Sequence, residues 1–150
     1  MDKIKNLGQV YTPENIVKIM FDLSKNSGEI LEPSAGDGAF TKWIQSNSNR
    51  KITSVEIDSN NKQLDFIIMD FFDYDESIKY ETIIGNPPYV SFKNIYKETL
   101  GKIQSKPYLN SYDNRTNLYI HFIRKCVEHL KDRKSTRLNS SHLVISYAVF

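Results

Sequence analysis

Two glycines stand two residues apart in the turn Pro33-Ser34-Ala35-Gly36-Asp37-Gly38. A short apolar run, Glu29-Ile30-Leu31-Glu32, precedes the turn, and a segment placing Phe40, Trp43 and Ile44 on one helical face follows it. A strand, a glycine turn and a helix form a cradle for a nucleotide-like ligand at the carboxyl edge of a sheet. Gly36 and Gly38 permit close backbone approach and unusual dihedrals. The pair alone is a weak signal, because such turns also simply join strands to helices. Twenty residues beyond Gly36, Glu56 ends a second apolar run, Ile52 to Ile57, where a carboxylate can accept bonds from both hydroxyls of a ribose. Asp70 and Phe71 end a third run, placed to bond an adenine amino group and to pack on its ring. A dinucleotide fingerprint would carry a third glycine where Thr41 stands, which counts against NAD.

A second constellation is Ile83-Ile84-Gly85-Asn86-Pro87-Pro88-Tyr89-Val90. An amide and an aromatic ring flank two prolines directly after a buried strand. Proline fixes φ, so groups carried by this loop are held in place before any ligand arrives. In isolation Asn-Pro-Pro-Tyr is also a turn or a proline-rich ligand. Its position after a strand and downstream of the glycine turn favours a site.

The elements that must hold these residues follow from periodicity. Thr12-Pro13-Glu14 is a helix entry, with Thr12 as cap and Pro13 at the first helical position. Ile16, Ile19, Met20 and Leu23 then form one apolar stripe, and Gly28 marks the stop. Strands are expected at 29–32, 52–57, 64–69 and 81–84. Their alternation with helices argues for a parallel α/β sheet. The connection between the second and third strands is short for a parallel crossover, which needs a dozen or more residues, so a one-turn helix or shifted boundaries are expected there. Residues 91–112 read as mostly loop. Thr116 or Asn117 opens a helix on which Leu118, Phe122, Ile123, Cys126, Val127 and Leu130 share a face. His121 and His129 on that helix have no metal-ligating partner at a suitable spacing and read as solvated; Cys126 reads as core.

The chain has 150 residues, 20 Lys and Arg against 18 Asp and Glu, and one cysteine. One cysteine excludes an internal disulfide framework and a Cys-rich zinc site. The sequence has neither an apolar run of spanning length nor a secretory-type leader, so a cytoplasmic location with no membrane partner is expected. Residues 132–150, with Ser135-Thr136-Arg137-Leu138-Asn139-Ser140-Ser141-His142 at their centre, resemble the in-frame translation of a sequencing-library adaptor. Leu143-Val144 occupies the place of the variable barcode. The other reading is a Ser-rich loop and a terminal strand alternating Leu143, Ile145, Tyr147 and Val149. On the first reading the native sequence stops near Lys131. Removing Arg133, Lys134, Arg137 and Asp132 then leaves 17 basic and 17 acidic residues, so the basic excess disappears.

Leu31-Glu32-Pro33-Ser34-Ala35-Gly36-Asp37-Gly38-Ala39-Phe40 resembles motif I of the γ-type S-adenosylmethionine-dependent DNA adenine-N6 methyltransferases. Val55-Glu56-Ile57-Asp58 is similar to motif II, Asp70-Phe71-Phe72 to motif III, and Gly8-Gln9-Val10-Tyr11-Thr12-Pro13 to motif X. Asn86-Pro87-Pro88-Tyr89 matches the family's catalytic motif. The likeness is nearest to the large methylases of restriction-modification systems, including fused restriction–methylation enzymes.

This resemblance implies a Rossmann-like class I methyltransferase fold of the α/β class, truncated after about four parallel strands. Residues 1–131 would be a partial catalytic domain and 132–150 a foreign tail. It implies S-adenosyl-L-methionine as cofactor, held by Tyr11, Thr12, Glu32, Pro33, Ser34, Ala35, Gly36, Gly38, Glu56, Ile57, Asp70 and Phe71. Adenine's amino nitrogen is a poor nucleophile because its lone pair is delocalised into the ring. In the family the Asn side-chain oxygen and a Pro carbonyl accept its two hydrogens, roles that fall on Asn86 and Pro87, with Pro88 stiffening the loop and Tyr89 stacking on the flipped base. No metal is required. The partner is double-stranded DNA, contacted mostly by a recognition domain that lies downstream in this motif order. A restriction subunit or fused nuclease would also lie outside the fragment. The family's usual acidic residue before Leu-Tyr is Asn117 here. Two alternatives stay open: a protein glutamine or RNA methyltransferase with the same loop, and an inactive fragment that at most binds cofactor.

Overall fold

The computed structural model describes residues 11–24, 27–60, 65–110, 115–131 and 143–145. Its centre is a parallel sheet of short strands: β1 (Ile30–Glu32), β2 (Ile52–Glu56), β3 (Ile67–Ile68), β4 (Thr82–Gly85) and β5 (Leu143–Ile145), in spatial order β3-β2-β1-β4-β5. Ile30 pairs with Ile52 on one side and Thr82 on the other. The chain thus builds outward from β1 to β3 and then returns across β1 to lay down β4. Strand order reverses between β1 and β4, and a crevice opens outside the carboxyl ends of strands at such a switch point.

Alternation along the buried strands supplies two cores. Ile30 and Ile84 face one side with Val17, Met20, Phe40 and Ile44. Leu31 and Ile83 face the other with Val55, Phe71, Phe72, Leu118, Phe122 and Cys126. The first side is covered by α1 (Glu14–Leu23) and α2 (Ala39–Asn47), which pack with Phe21 against Trp43 at 5.2 Å. The second is covered by α4 (Leu118–Glu128). Among the described residues no helix is long and apolar enough to cross a membrane.

Several local expectations shift. Pro13, in extended conformation, is the N-cap of α1, and Thr12 makes no capping bond. Val17 and Met20 are the buried pair of α1, with Ile19 and Leu23 each 54% exposed. The helix is rotated from the expected stripe because Phe21 turns toward Trp43, and it ends at Leu23 before reaching Gly28. The third strand begins later than its apolar run, so residues 57–66 lie between β2 and β3, and the pairing Val55 to Ile67 is parallel. Residues 61–64 lie outside the described part. The stretch read as loop holds a 3-10 turn at Phe92–Asn94 and a helix, α3 (Lys97–Gln104), whose buried contacts are limited to Thr99 and Ile103. So few apolar positions give too little periodicity to detect.

His121 and His129 are buried, not solvated. His129 Nδ1 lies 3.0 Å from the Ile78 carbonyl, and burial pulls its pKa down to about 4, so the ring is neutral. Beside it Lys125 is fully buried and donates to the carbonyls of Phe72 and Tyr74 and to Glu76. The four expected strands are present, and β5 adds a parallel partner for Ile83, Ile84 and Gly85. It comes from the segment that the sequence sets apart. An open edge presents unpaired N–H and C=O groups to any extended segment.

Candidate active site

A cleft open to solvent lies at the carboxyl ends of β1, β2 and β4. Its floor is the turn after β1. Ala35 N–H donates to Val55 O at 2.9 Å and Gly38 N–H to Ala35 O at 2.8 Å, so the turn is pinned to β2 and folds tightly into α2. Gly36 (φ +58°) and Gly38 (φ +78°) are left-handed, which is the reason for glycine here. A Cβ on Gly36 would meet nothing within 4 Å, so the backbone at this point faces open space.

Glu56 at the end of β2 is buried yet lines the cleft. Burial raises its pKa, partly offset by the Asp58 N–H at 2.8 Å on Oε1 and the Gly36 N–H at 2.6 Å on Oε2. Each carboxylate oxygen has a second lone pair, so both can accept again from a vicinal diol. Ile57, Met69 and Phe71 make an apolar wall beside it. A backbone cradle, an oriented carboxylate and an apolar slot together fit a nucleoside-bearing cofactor.

Glu32 lies beneath the floor rather than in the cleft. It is fully buried, its Oε2 accepts from Thr41 and from Ser54 at 3.1 Å, and burial pushes its pKa up to about 8. Thr41, where a dinucleotide fingerprint wants glycine, is thus the hydroxyl that holds Glu32.

The prolyl loop leaves β4 against this floor. A Cβ on Gly85 would sit 3.4 Å from Pro33 Cδ. Ser34 Oγ donates to the Asn86 carbonyl at 2.8 Å, and Asn86 Nδ2 lies 3.4 Å from Thr12 Oγ1. Asn86 and Pro88 line the same cleft as Gly36 and Glu56. Downstream, Leu118 N–H donates to Val90 O at 3.0 Å and Phe92 N–H to Asn117 Oδ1 at 3.2 Å. The Tyr89 ring lies 6.0 Å from that of Tyr119.

Of the sequence-derived residues, Tyr11, Thr12, Pro33, Ser34, Ala35, Gly36, Glu56, Ile57, Phe71, Asn86 and Pro88 meet in this cleft. Glu32, Gly38, Asp70, Pro87 and Tyr89 are beside it without lining it. Asp70, expected to bond a ring amino group, is held at the edge of the cleft by partners within the protein. Its Oδ1 caps the Phe72 N–H, and its Oδ2 accepts from Thr99 and from Lys102 at 3.0 Å. These bonds also tie it to α3. Lining residues not picked out from the sequence include Asp37, Met69, Ile95, Tyr96 and Thr99, together with Phe40 and Phe122, which read only as core. Thr99 sits on the helix that periodicity did not reveal.

The family model described as Eco57I restriction-modification methylase matches residues 15–141. The Haemophilus influenzae type II methyltransferase M.HincII is 38% identical over 138 residues, covering 87% of this chain and 27% of the relative. The Thermus thermophilus type II methyltransferase M.TthHB8I is 28% identical, covering 85% and 33%. This chain thus spans about a quarter to a third of the length of these curated relatives. Among solved structures, a DrdV–DNA complex matches 85% of the chain and 20% of its own (TM-score 0.56, 21% identity). A Streptococcus thermophilus type I methyltransferase subunit matches 83% and 32% (TM-score 0.57, 16% identity). The α/β, Rossmann-like sheet is common to these neighbours, and the matched segment holds both the glycine turn and the prolyl loop: the chain belongs to the Eco57I restriction-modification methylase family.

Proposed function

We propose that the cleft binds S-adenosyl-L-methionine and transfers its methyl group to the N6 amino group of an adenine in double-stranded DNA, within a restriction-modification or related defence system. A methylase needs a methyl donor; the identity of donor and acceptor is the proposal. The observation that supports it most is that Asn86 and Pro88 open into the same cleft as Gly36 and Glu56. Donor and acceptor chemistry then meet without a change of fold.

On this reading Glu56 accepts the donor's ribose hydroxyls, and Ile57 and Phe71 flank its adenine ring. The donor supplies an electrophilic methyl on a cationic sulfur. Asn86 Oδ1 and the Pro87 carbonyl accept the two amino hydrogens of the target base and favour a pyramidal nitrogen whose lone pair can attack. Tyr89 stacks on the base once it has left the duplex. With the donor bound, the amino nitrogen would take the methyl as the carbon–sulfur bond breaks and the sulfur leaves as a neutral thioether, and the amino proton would then pass to solvent. Ser34 and Thr12 hold the acceptor loop still, so little reorganisation accompanies the reaction.

The test offers tritiated S-adenosyl-L-methionine with adenine-containing duplex, and separately with a glutamine-containing peptide, to the chain and to the gene product read past codon 131. Label on the duplex that disappears in Asn86→Ala supports the reading; label on the peptide alone overturns it. The origin of residues 132–150 is a separate proposal, that they are adaptor-derived and that native sequence stops near Lys131. It is checked by sequencing the locus, where an identical genomic tail overturns it.

A further inference from the structure

Asn117 holds the position where the resembled family places an acid, and the first residues of α4 meet the prolyl loop at three points. The Leu118 N–H donates to Val90 O at 3.0 Å, the Phe92 N–H donates to Asn117 Oδ1 at 3.2 Å, and the Tyr119 ring stands 6.0 Å from Tyr89. The first two bonds bracket Val90 and Phe92, so the chain leaving Tyr89 is tied to α4 on both sides of Ser91. Ser34 and Thr12 hold the loop's entry at Asn86. One backbone N–H, of Leu118, and one side-chain oxygen, of Asn117, hold its exit.

We propose that Asn117 is a positioning residue for the acceptor loop: its side-chain oxygen takes the Phe92 N–H and thereby fixes where Tyr89 stands over the acceptor base. This rests on the reading of residues 86–89 as the acceptor site. The direction of the bond assigns the chemistry. The donor is a backbone N–H, so position 117 must present an acceptor oxygen, and its charge is secondary. Asparagine and aspartate both supply one, and both suit the residue just before a helix. Replacing an acid with Asn117 therefore leaves the clamp intact. Alanine or leucine would remove it.

The experiment follows amide hydrogen exchange residue by residue in the ¹⁵N-labelled 150-residue chain, in wild type, Asn117→Ala and Asn117→Asp. The Phe92 amide is expected to exchange roughly tenfold faster in the alanine variant, the loss of about one net hydrogen bond. It should keep its wild-type rate in the aspartate variant, with Val55 and Ile83 amides unchanged in both. An unaltered Phe92 rate in Asn117→Ala, or equal acceleration in Asn117→Asp, overturns the clamp. If the alanine variant loses protection throughout, the aspartate variant alone decides: protection at Phe92 kept supports the clamp and protection lost overturns it.

Single-turnover methyl transfer then tests the consequence. Asn117→Ala is expected to slow transfer about three- to tenfold, with unchanged affinity for S-adenosyl-L-methionine, and Asn117→Asp to restore it. Altered exchange with an unaltered rate overturns the positioning role. Exchange needs no activity, so a wild-type chain that transfers no methyl group counts against the proposed function and leaves the clamp to be judged by the Phe92 amide.

Discussion

Ser34 Oγ donates to the backbone carbonyl of Asn86 at 2.8 Å, so the second residue of the glycine turn holds the residue at the head of the prolyl loop. Two segments far apart in sequence become one frame, and Thr12 joins it through the Asn86 amide. Ser34→Ala removes the donor and leaves a carbonyl to be satisfied by water. The expected result is a three- to tenfold slower single-turnover methyl transfer. Ser34→Thr, which keeps the hydroxyl, should recover most of the rate. Equal rates in Ser34→Ala and wild type would dismiss the frame.

Glu56 carries the second prediction. Its oxygens already accept from Gly36 and Asp58 backbone N–H groups, which orient the carboxylate before a ligand arrives. Glu56→Gln puts an NH₂ group where one of those acceptors stood and sets it against a backbone donor. Affinity for S-adenosyl-L-methionine, measured by calorimetry on the chain, is expected to fall roughly 10- to 100-fold, the size of one or two charge-assisted hydrogen bonds. Glu56→Asp shortens the reach and should fall between the two.

What could be read beforehand tracks how locally each feature is encoded. The glycine turn and the Asn-Pro-Pro-Tyr loop depend on dihedral constraints of their own residues, so residue type and order disclose them. β1 and β4 are legible from apolar runs, because strands buried on both faces read as continuous hydrophobic stretches. Thr99 and Lys102, the partners of Asp70, are not legible because they lie on a helix with too few buried positions to show a period. His129 was misjudged for a related reason: α4 is covered on its polar flank by Ile78 and Tyr74, and periodicity within one helix does not reveal a neighbour. Lys125 reads as a surface residue in any linear scan, and only the fold closes over it.

Lys125 supplies the third prediction. Its ammonium sits 5.3 Å from the centre of the Phe71 ring and holds the Phe72 and Tyr74 carbonyls and Glu76. It thereby ties α4 to the segment whose Phe71 and Phe72 line the cleft. Lys125→Met keeps most of the packing and removes the donor, leaving two buried carbonyls unpaired. The expected cost is about 3 kcal/mol, read as a lower urea midpoint with unchanged slope. A loss under about 0.5 kcal/mol would show that water replaces the ammonium at no cost.

Glu32 gives the chain a pH dependence whose sign can be worked out. Burial raises its pKa to about 8 from an ordinary 4.5, so the folded state holds this proton more tightly than the unfolded chain does. The associated stability is complete below about pH 4.5 and is lost as pH rises toward 8, at up to about 1.4 kcal/mol per pH unit. Glu76 acts in the opposite direction and at lower pH. Burial opposes the shift, but hydrogen bonds from Lys106, Tyr108 and Lys125 hold it down at about 2, so its contribution fades as pH falls from 4.5 toward 2. His129, whose pKa burial pulls down to about 4 from 6.5, adds stability as pH rises between those two values, so thermal melts between pH 6.5 and 8 report Glu32, with the midpoint falling as pH rises. Glu32→Gln keeps the neutral shape and an oxygen for Thr41 and Ser54 but has no proton to lose. Its melts should flatten across that range and exceed wild type at pH 8. A wild-type midpoint that is level from pH 6.5 to 8 would mean that Glu32 is already ionised in the folded chain, and that Thr41 and Ser54 stabilise the charge more than burial opposes it.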